Sequence, residues 1–176
     1  MEEIITLDYG SGGLKTSQLI ESVLLPAFSN EALNQLGDGA VLENPGGPLV
    51  FSTDSFVVSP WRFPGGDIGK LAVCGTVNDL SMAGGRPWSL SLSFILEEGL
   101  PMKDFQEIAA SIAKTARETG VSIVTGDTKV VEKGKGDGIY INTSGIGFLL
   151  PPGKTLGKSA IRPGDRVILS GPPGCH

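Results

Sequence analysis

Histidine and cysteine are nearly absent from the sequence, which has one histidine, His176, and two cysteines, Cys74 and Cys175. Two cysteines so far apart provide neither the ligand spacing of a zinc site nor a disulfide framework. A single histidine at the end of the chain is too little for a zinc site or a histidine-dependent triad. Any catalysis must therefore use carboxylates, lysine, hydroxyl groups or the backbone.

Clustered positive charge is also missing. The chain has 14 lysine and arginine residues against 19 aspartate and glutamate residues, and its formal net charge is -5. The one local group of lysines, Lys129, Lys133 and Lys135, alternates with acidic residues. Because contacts to nucleic-acid phosphates need clustered lysine and arginine, we expect no nucleic-acid partner.

Long apolar runs are missing as well. No uninterrupted run reaches the about 20 residues that span a bilayer. Residues 1–10, MEEIITLDYG, lack the positive start and the apolar core of a signal peptide. We therefore expect a cytoplasmic protein with no membrane partner.

Glycine, in contrast, is abundant, with 26 residues among 176 against a usual share of roughly 7%. The glycines follow no period, which excludes collagen and a simple linker. They gather in short segments that include YGSGGLKTS (9–17), LGDGAV (36–41), RFPGGDIGK (62–70), MAGGRP (82–87), VTGDT (124–128) and KGKGDGI (133–139). This distribution predicts many close backbone approaches.

Periodicity predicts three helices and five strands. The first helix starts near Leu14 or Lys15 and stops before Pro26. The second starts after Asp67 as N-cap and ends at Gly84-Gly85. The third runs from Pro101 to Gly120. Strands are predicted at 48–59, 88–97, 121–125, 138–149 and 166–170. This pattern is typical of an α+β fold in which helices cover one face of a mixed sheet.

Three of these elements have a predicted buried face. The second helix has an apolar stripe of Ile68, Leu71, Ala72, Val77 and Leu80, and the third turns Phe105, Ile108, Ala109, Ile112, Ala113 and Ala116 inward. The strand at 88–97 alternates Trp88, Leu90, Leu92, Phe94 and Leu96 with serines and a further apolar residue. Cys74, near the apolar side of its helix, and Trp88 are interpreted as packing residues, the latter in the core or a dimer interface.

The chain divides into one domain at 1–160 and a short second segment at 161–176. The second segment, IRPGDRVILSGPPGCH, has the pattern of a new strand that enters a Gly/Pro turn. We expect it to be the start of a second domain whose remainder is missing, so that the chain alone is an incomplete enzyme.

Four aspartates stand among small or amide-bearing neighbours: Asp38 in Gly-Asp-Gly-Ala, Asp54 at a strand end, Asp79 after Asn78, and Asp127 in Thr-Gly-Asp-Thr. Each could simply cap a helix or a turn. Carboxylates without an obvious ionic partner are, however, the ligands that Mg²⁺ prefers, together with phosphate oxygens and water. Together with the glycine segments, they favour a shared metal-nucleotide site.

Two further segments carry charge beside glycine. Gly10-Ser11-Gly12-Gly13 leads into the first helix, where backbone N–H groups could hold phosphate, and Lys15 follows either as a phosphate contact or as a solvated charge. The segment 124–138, VTGDTKVVEKGKGDG, is expected to place Asp127 and Lys129 on a turn. Its alternative interpretation is a hairpin with a solvated charge pair.

Four motifs resemble the HypE family of hydrogenase-maturation proteins, carbamoyl dehydratases that are similar in fold to aminoimidazole ribonucleotide synthetase, selenophosphate synthetase and thiamine-monophosphate kinase. They are GSGG near the start, TDSFVVSPWRFPGGDIGKLAVCGTVNDLSMAGGRP (53–87), TGDTKVV (125–131) and INTSGIG (141–147). The resemblance covers nearly the whole chain in order. It implies a PurM-like amino-terminal domain whose sheet pairs into a barrel across a homodimer.

The resemblance also implies an activity. ATP and Mg²⁺ would bind at the acidic, glycine-rich loops, and a protein thiocarbamate would be dehydrated to a thiocyanate that supplies the cyanide ligands of nickel–iron hydrogenase. The implied partners are a carbamoyltransferase and an iron-scaffold complex. The implied site residues are Asp79 and Asp127 for magnesium and phosphates, Asp38 and Asp54 in support, Lys129 near the reacting amide, and Gly12, Gly13, Asn78 and Gly126 around the cofactor.

Two other functions stay open on the sequence. One keeps the superfamily and changes the substrate, as in selenophosphate synthesis or thiamine-phosphate phosphorylation. The other is a non-catalytic module that only dimerises or docks a maturation partner. Cys175, although close to the end of the chain, is expected not to be the acceptor cysteine of the family, because it stands in SGPPGCH.

Overall fold

The computed structural model describes residues 3–43, 46–150, 157–169 and 171, and its centre is a four-stranded sheet. The strands are β1 (Leu49–Phe56), β2 (Arg62–Phe63), β3 (Gly66–Asp67), β4 (Gly85–Glu97), β5 (Ser122–Val131) and β6 (Ile139–Leu149). The sheet has the order β1-β6-β4-β5, with β4 and β5 parallel and the other neighbours antiparallel. Strands β2 and β3 form a separate ribbon. The expected mixed sheet is confirmed.

Helices lie against one face of this sheet. They are α1 (Leu14–Leu19), α2 (Leu25–Phe28), α3 (Ile68–Met82) and α4 (Met102–Thr119), with short 3-10 turns at Leu7–Gly10, Leu33–Gln35 and Lys158–Ala160. Helix α3 packs on α4 and on strands β1, β4 and β6. The expected α+β layer arrangement is therefore confirmed.

Strand β4 supplies the centre of the core. Leu90, Leu92, Phe94 and Leu96 are almost fully buried, as the alternating pattern predicts. The Phe94 ring meets the Phe105 ring of α4 edge to face, with 5.1 Å between centroids. Trp88 is only partly buried, because the register between β4 and β6 shifts between Pro87 and Ser89 and breaks the alternation.

Helix α4 has the predicted limits and the predicted buried face. Pro101 precedes it, and Gly120 ends it with a φ of 73°, a left-handed conformation that glycine adopts without steric cost. All six residues predicted to face inward are buried.

Helix α3 begins as predicted, but its buried face differs. The Asp67 side chain accepts a hydrogen bond from the backbone N–H of Lys70 at 2.9 Å, which caps the helix. Leu71, predicted to be buried, is 39% exposed, whereas the polar Thr76 is fully buried. The hydroxyl groups of Thr76 and Thr143 lie 2.6 Å apart and satisfy each other, so the predicted stripe was wrong at these positions.

The amino-terminal helix continues past Pro26, so its predicted stop was wrong. A π-helical turn, Ile20–Leu24, joins α1 to α2. The backbone N–H of Leu25 reaches back to the carbonyl of Ile20, and this wider turn precedes Pro26, which has no N–H to donate. The helical course therefore extends to Phe28.

The strand predicted at 166–170 is absent from its described part, residues 166–169. Val167, Ile168 and Leu169 are mostly exposed, and no described strand pairs with them. Backbone hydrogen bonds to a neighbouring strand are what stabilise an apolar segment as a strand. Cys175 and His176 lie outside the described residues, and the division at residue 160 stays a prediction.

Within the described residues, no helix combines the length and the apolar character needed to cross a membrane.

Replacing Gly145 with alanine should lower the free energy of unfolding by about 1–3 kcal/mol, the range for overpacking a filled core. An alanine Cβ there would lie 2.7 Å from Leu90 Cδ2, 2.8 Å from Leu80 Cδ1 and 2.9 Å from Thr76 Cγ2. Gly39→Ala is the matched control, because nothing lies within 4 Å of the added carbon. Denaturant unfolding measures both variants, and equal midpoints would contradict this packing.

Candidate functional site

The segment from Gly126 to Lys129 lies inside β5 rather than on a turn. Strand β5 pairs with β4, and β4 separates it from β6. Both the expected turn and the alternative hairpin are therefore wrong. The reason is the long crossover through α4, which makes β5 parallel to β4 and leaves it at the edge of the sheet.

Asp127 and Lys129 form an exposed ion pair on this edge strand. The Lys129 Nζ donates to Asp127 Oδ1 at 3.0 Å, with 63% and 57% of the two side chains exposed. Alternate residues of a strand share a face, and β5 sets Asp127 beside Ser93 and Lys129 beside Ile95. The pair therefore lies on the open face, which we define as the face opposite the buried residues of β4.

A groove of about 400 Å³ runs along β5, and Asp127 and Lys129 are among the residues that line it. One wall is the strand from Ile123 to Lys129, and the opposite wall is the stretch from α1 to the loop at Gly37 and Gly39. The floor is apolar and includes Leu92 and Phe94. Asp38 is exposed between the two lining glycines of the loop. A concave apolar surface with polar groups at its border is the usual form of a small-molecule site.

The amino-terminal glycine segment borders the same groove. Gly12 lines it with a φ of 78°, but its N–H already donates to Thr16 Oγ1 at 3.0 Å. Gly13 is the residue before α1. Lys15 lies over the Tyr9 ring, with its Nζ 5.2 Å from the centroid. Its Nζ also donates to Thr6 Oγ1 at 3.3 Å and lies 3.8 Å from Asp8 Oδ2, so Lys15 already has partners within its own segment.

A second acidic group lies between β1 and α3. The Ser52 hydroxyl donates to Asp79 Oδ2 at 3.1 Å. Asp54 lies two residues after Ser52 on the same face of β1, with its Oδ2 3.7 Å from where a Cβ on Gly75 would stand. Gly75 and Asp79 are neighbours one turn apart on α3. Asn78 is exposed beside Asp79.

The two acidic groups are far apart within one chain. Asp54 and Asp127 stand on edge strands separated by three inter-strand spacings, about 14 Å along the sheet. They also lie on opposite faces, because Asp54 pairs with the buried Thr143. Over the described ranges, no three acidic, cysteine or histidine side chains converge in a way that could hold a metal.

The donor chemistry of each group nevertheless fits a hard cation. Asp54 Oδ1 accepts the N–H of Ser55 at 2.8 Å, and Asp127 Oδ1 accepts the N–H of Thr128 at 2.9 Å. These bonds orient both carboxylates while leaving them accessible. At Asp127 a cation is already present, since the Lys129 ammonium lies at hydrogen-bond distance. Within one chain the two groups are therefore two separate candidate positions for a cation and not one shared position.

Glu97, which the sequence analysis missed, fixes the segment that follows β5. Its carboxylate accepts the N–H of Gly134 at 2.6 Å and that of Gly138 at 2.9 Å, and so bridges both sides of the turn before β6. These two bonds hold the pKa of Glu97 below its ordinary value. The partners are 37 and 41 residues away in sequence, a separation that leaves no local signal.

Cys74 is a free cysteine, partly buried on α3. Its interpretation as a packing residue stays a prediction.

Comparison with known proteins agrees with this fold and adds a family. The family model described as AIR synthase related protein, N-terminal domain, matches residues 36–149. Carbamoyl dehydratase HypE of Azotobacter vinelandii is 54% identical over 172 residues, which are 98% of this chain and 50% of that protein. The chain thus spans about half the length of the curated relatives it matches.

Solved structures of HypE proteins share the fold. A crystal structure of hydrogenase maturation protein HypE in complex with ATP has a TM-score of 0.80 and 57% identity, covering 82% of this chain and 43% of that chain. A crystal structure of a HypE-HypF complex has a TM-score of 0.58 and 57% identity, covering 74% and 42%. The α+β fold is therefore the PurM-like fold of these proteins.

Glu97→Gln should alter the pH dependence of stability. A carboxyl whose pKa is lower in the folded state adds stability above its unfolded pKa and loses it as the pH falls through the folded pKa. The stability difference between wild type and variant should therefore be constant above about pH 4.5, the ordinary pKa of glutamate, and should shrink below it. Urea unfolding across this pH range measures the difference.

Glu98→Gln is the control for this measurement, because neither glycine N–H donates to Glu98. A difference between wild type and Glu97→Gln that stays the same on both sides of pH 4.5 would contradict the two backbone bonds.

Proposed function

This chain belongs to the AIR synthase related proteins as an N-terminal domain of that family, and on this premise we propose that it is the ATP-binding and dimerising domain of a HypE-type carbamoyl dehydratase. The observation that carries the proposal is the likeness to a HypE structure in complex with ATP, at 57% identity and a TM-score of 0.80. The groove beside β5 supports it, because an apolar floor bordered by glycines and charged groups suits a nucleotide.

The proposed roles follow the side-chain chemistry of the groove beside β5 and of the separate acidic group between β1 and α3. Lys129 and Asp79 are the proposed catalytic residues. Gly12, Gly13 and Gly126 would surround the nucleotide beside β5, and Asp38 and Asp127 would hold Mg²⁺ there. Asn78, Asp54 and Asp79 are proposed for the same cofactors at the separate position between β1 and α3. Magnesium, when bound, would neutralise charge on the phosphates.

The proposed reaction converts a protein thiocarbamate to a thiocyanate for the cyanide ligands of nickel–iron hydrogenase. Loss of the amide oxygen requires that this oxygen become a leaving group, which phosphorylation by ATP achieves, and that the nitrogen lose its protons. Lys129 can offset negative charge on the transferred phosphoryl group through its ammonium. It can alternatively move a proton to or from the amide group.

The proposed partners are those of HypE proteins. A HypE-HypF complex exists for a relative, and we extend such a contact with a carbamoyltransferase to this chain. An iron-scaffold partner and a cytoplasmic location are parts of the same proposal. Activity of the whole enzyme would also need the acceptor cysteine and second domain that the resemblance implies.

The open face of the sheet supports a homodimer. Phe51 is 68% exposed and Leu49 is 47% exposed, and both lie beside the partly buried Ile146 and Phe148 of β6. Apolar side chains that adjoin on a surface indicate an interface. A second copy of the same sheet is the proposed occupant, since two such faces would close a barrel around the apolar side chains of β1 and β6. Asp127 and Lys129, on β5 at the opposite edge of the sheet, would lie at the rim of this barrel.

Calorimetric titration with ATP should detect about one nucleotide per chain in the presence of magnesium. Asp127→Asn should weaken this binding about tenfold or more, because a contact to a charged group is lost. Asp137→Asn removes the same charge from the turn after β5 and serves as the control. A folded wild-type sample that binds no nucleotide, with or without magnesium, would contradict nucleotide binding by this domain.

Light scattering should give the mass of a dimer, and Phe51→Asp should give that of a monomer, because a carboxylate in the apolar interface would be buried without a partner. Val41→Asp introduces the same side chain at a position that is 82% exposed and outside the sheet, so it should leave the dimer intact. A wild-type monomer at high protein concentration would overturn the proposed interface.

A further inference from the structure

The Asp127 carboxylate has two partners on a single oxygen. Oδ1 accepts the backbone N–H of Thr128 at 2.9 Å and the Lys129 ammonium at 3.0 Å. The first bond is local and fixed by the strand, and the Thr128 side chain is buried on the opposite face. Asp127 is therefore held in place, and the long Lys129 side chain is the partner that can leave.

The ion pair is built by strand geometry and not by tertiary packing. The two residues are separated by one position on an edge strand, so their side chains adjoin on one face. Lys129 stands beside the apolar Ile95 of β4, which offers the ammonium no hydrogen bond. Both charged groups are exposed, and exposed pairs are weak. Lys129 can thus exchange one partner for another at little cost.

We propose that Lys129 is an internal counter-ion that competes with a divalent cation for Asp127 and is drawn away when the phosphates of a nucleotide bind. The inference rests on the proposed nucleotide site and deepens it. Asp127 would hold the cation through its carboxylate, and the Lys129 ammonium hydrogen-bonded to Oδ1 would repel that cation, so the ammonium must move. Phosphate oxygens supply the ammonium with a new partner.

The consequence is that metal and nucleotide bind cooperatively. Without nucleotide, Lys129 stays on Asp127 and lowers its affinity for a cation. With nucleotide, Lys129 turns to the phosphates and the carboxylate becomes free. Because coupling of two ligands is reciprocal, metal should strengthen nucleotide binding by the same factor.

The counter-ion role predicts a different change in metal affinity on removal of Lys129 than other roles of a lysine at this position do. A lysine that only binds phosphate would leave the affinity for metal alone unchanged when it is removed. A lysine that only moves a proton would change neither affinity. A counter-ion, in contrast, makes metal binding stronger when it is lost, while nucleotide binding becomes weaker.

The test is a titration of the 176-residue chain with Mn²⁺, followed by electron paramagnetic resonance, with and without a non-hydrolysable ATP analogue. Without nucleotide, Lys129→Met should tighten Mn²⁺ binding about two- to fivefold, the range that the loss of an exposed ion pair allows. The analogue should strengthen Mn²⁺ binding less in this variant than in wild type.

Two controls separate the pair from a general charge effect. Lys133→Met removes one positive charge from the exposed turn after β5 and should change Mn²⁺ affinity less than Lys129→Met does. Asp127→Asn should weaken Mn²⁺ binding. When Lys129→Met is combined with Asp127→Asn, it should no longer tighten Mn²⁺ binding, because this double-mutant cycle isolates the direct interaction between the two side chains.

The outcomes distinguish this inference from the proposed function. If wild type binds the analogue but Lys129→Met leaves Mn²⁺ affinity unchanged or weaker, or tightens it no more than Lys133→Met, the counter-ion role is wrong and the nucleotide site stands. If wild type binds neither Mn²⁺ nor the analogue, the proposed function and this inference fail together.

Discussion

The burial of one face of β4 is the constraint on which the rest of the structure depends. This central strand lies between β5 and β6 and packs its apolar side chains beneath the helices, with Phe94 against Phe105 of α4. Helix α4 is also the connection from β4 to β5, so the contacts that close the core make β5 parallel to β4. The same register puts Asp127 and Lys129 on the open face. The position of the charged pair therefore follows from core packing.

Glycine makes this packing possible at several contacts. A Cβ on Gly126 would lie 2.1 Å from the carbonyl oxygen of Leu92, and one on Gly69 would lie 2.9 Å from the carbonyl oxygen of Ile108. No real side chain tolerates such distances, so β5 can approach β4, and α3 can approach α4, only because these positions are glycine. The high glycine content thus reflects close backbone approach in the core as well as loops beside the groove.

The sequence predicted the elements with a regular apolar period and failed where distant residues decide. The buried faces of helix α4 and strand β4 were predicted because the apolar period of each element identifies its buried face. The burial of the polar Thr76 was missed because its hydrogen-bond partner, Thr143, lies on another strand. Of the four aspartates, Asp127 has an ionic partner in Lys129, contrary to the expectation. The separation of Asp54 and Asp79 from Asp127 depends on strand order, which periodicity does not contain.

Because the charged groups lie outside the core, they can change partners without a loss of fold stability. A buried carboxylate would need several fixed partners to offset its desolvation, and its loss would unfold the chain. Asp127 and Lys129 are exposed, and the one backbone bond that orients the Asp127 carboxylate comes from Thr128 of its own strand. The fold can therefore keep its stability while these side chains change partners. A site that must bind and release cations and phosphates needs this independence, because groups fixed by the core could not exchange their partners without disturbing it.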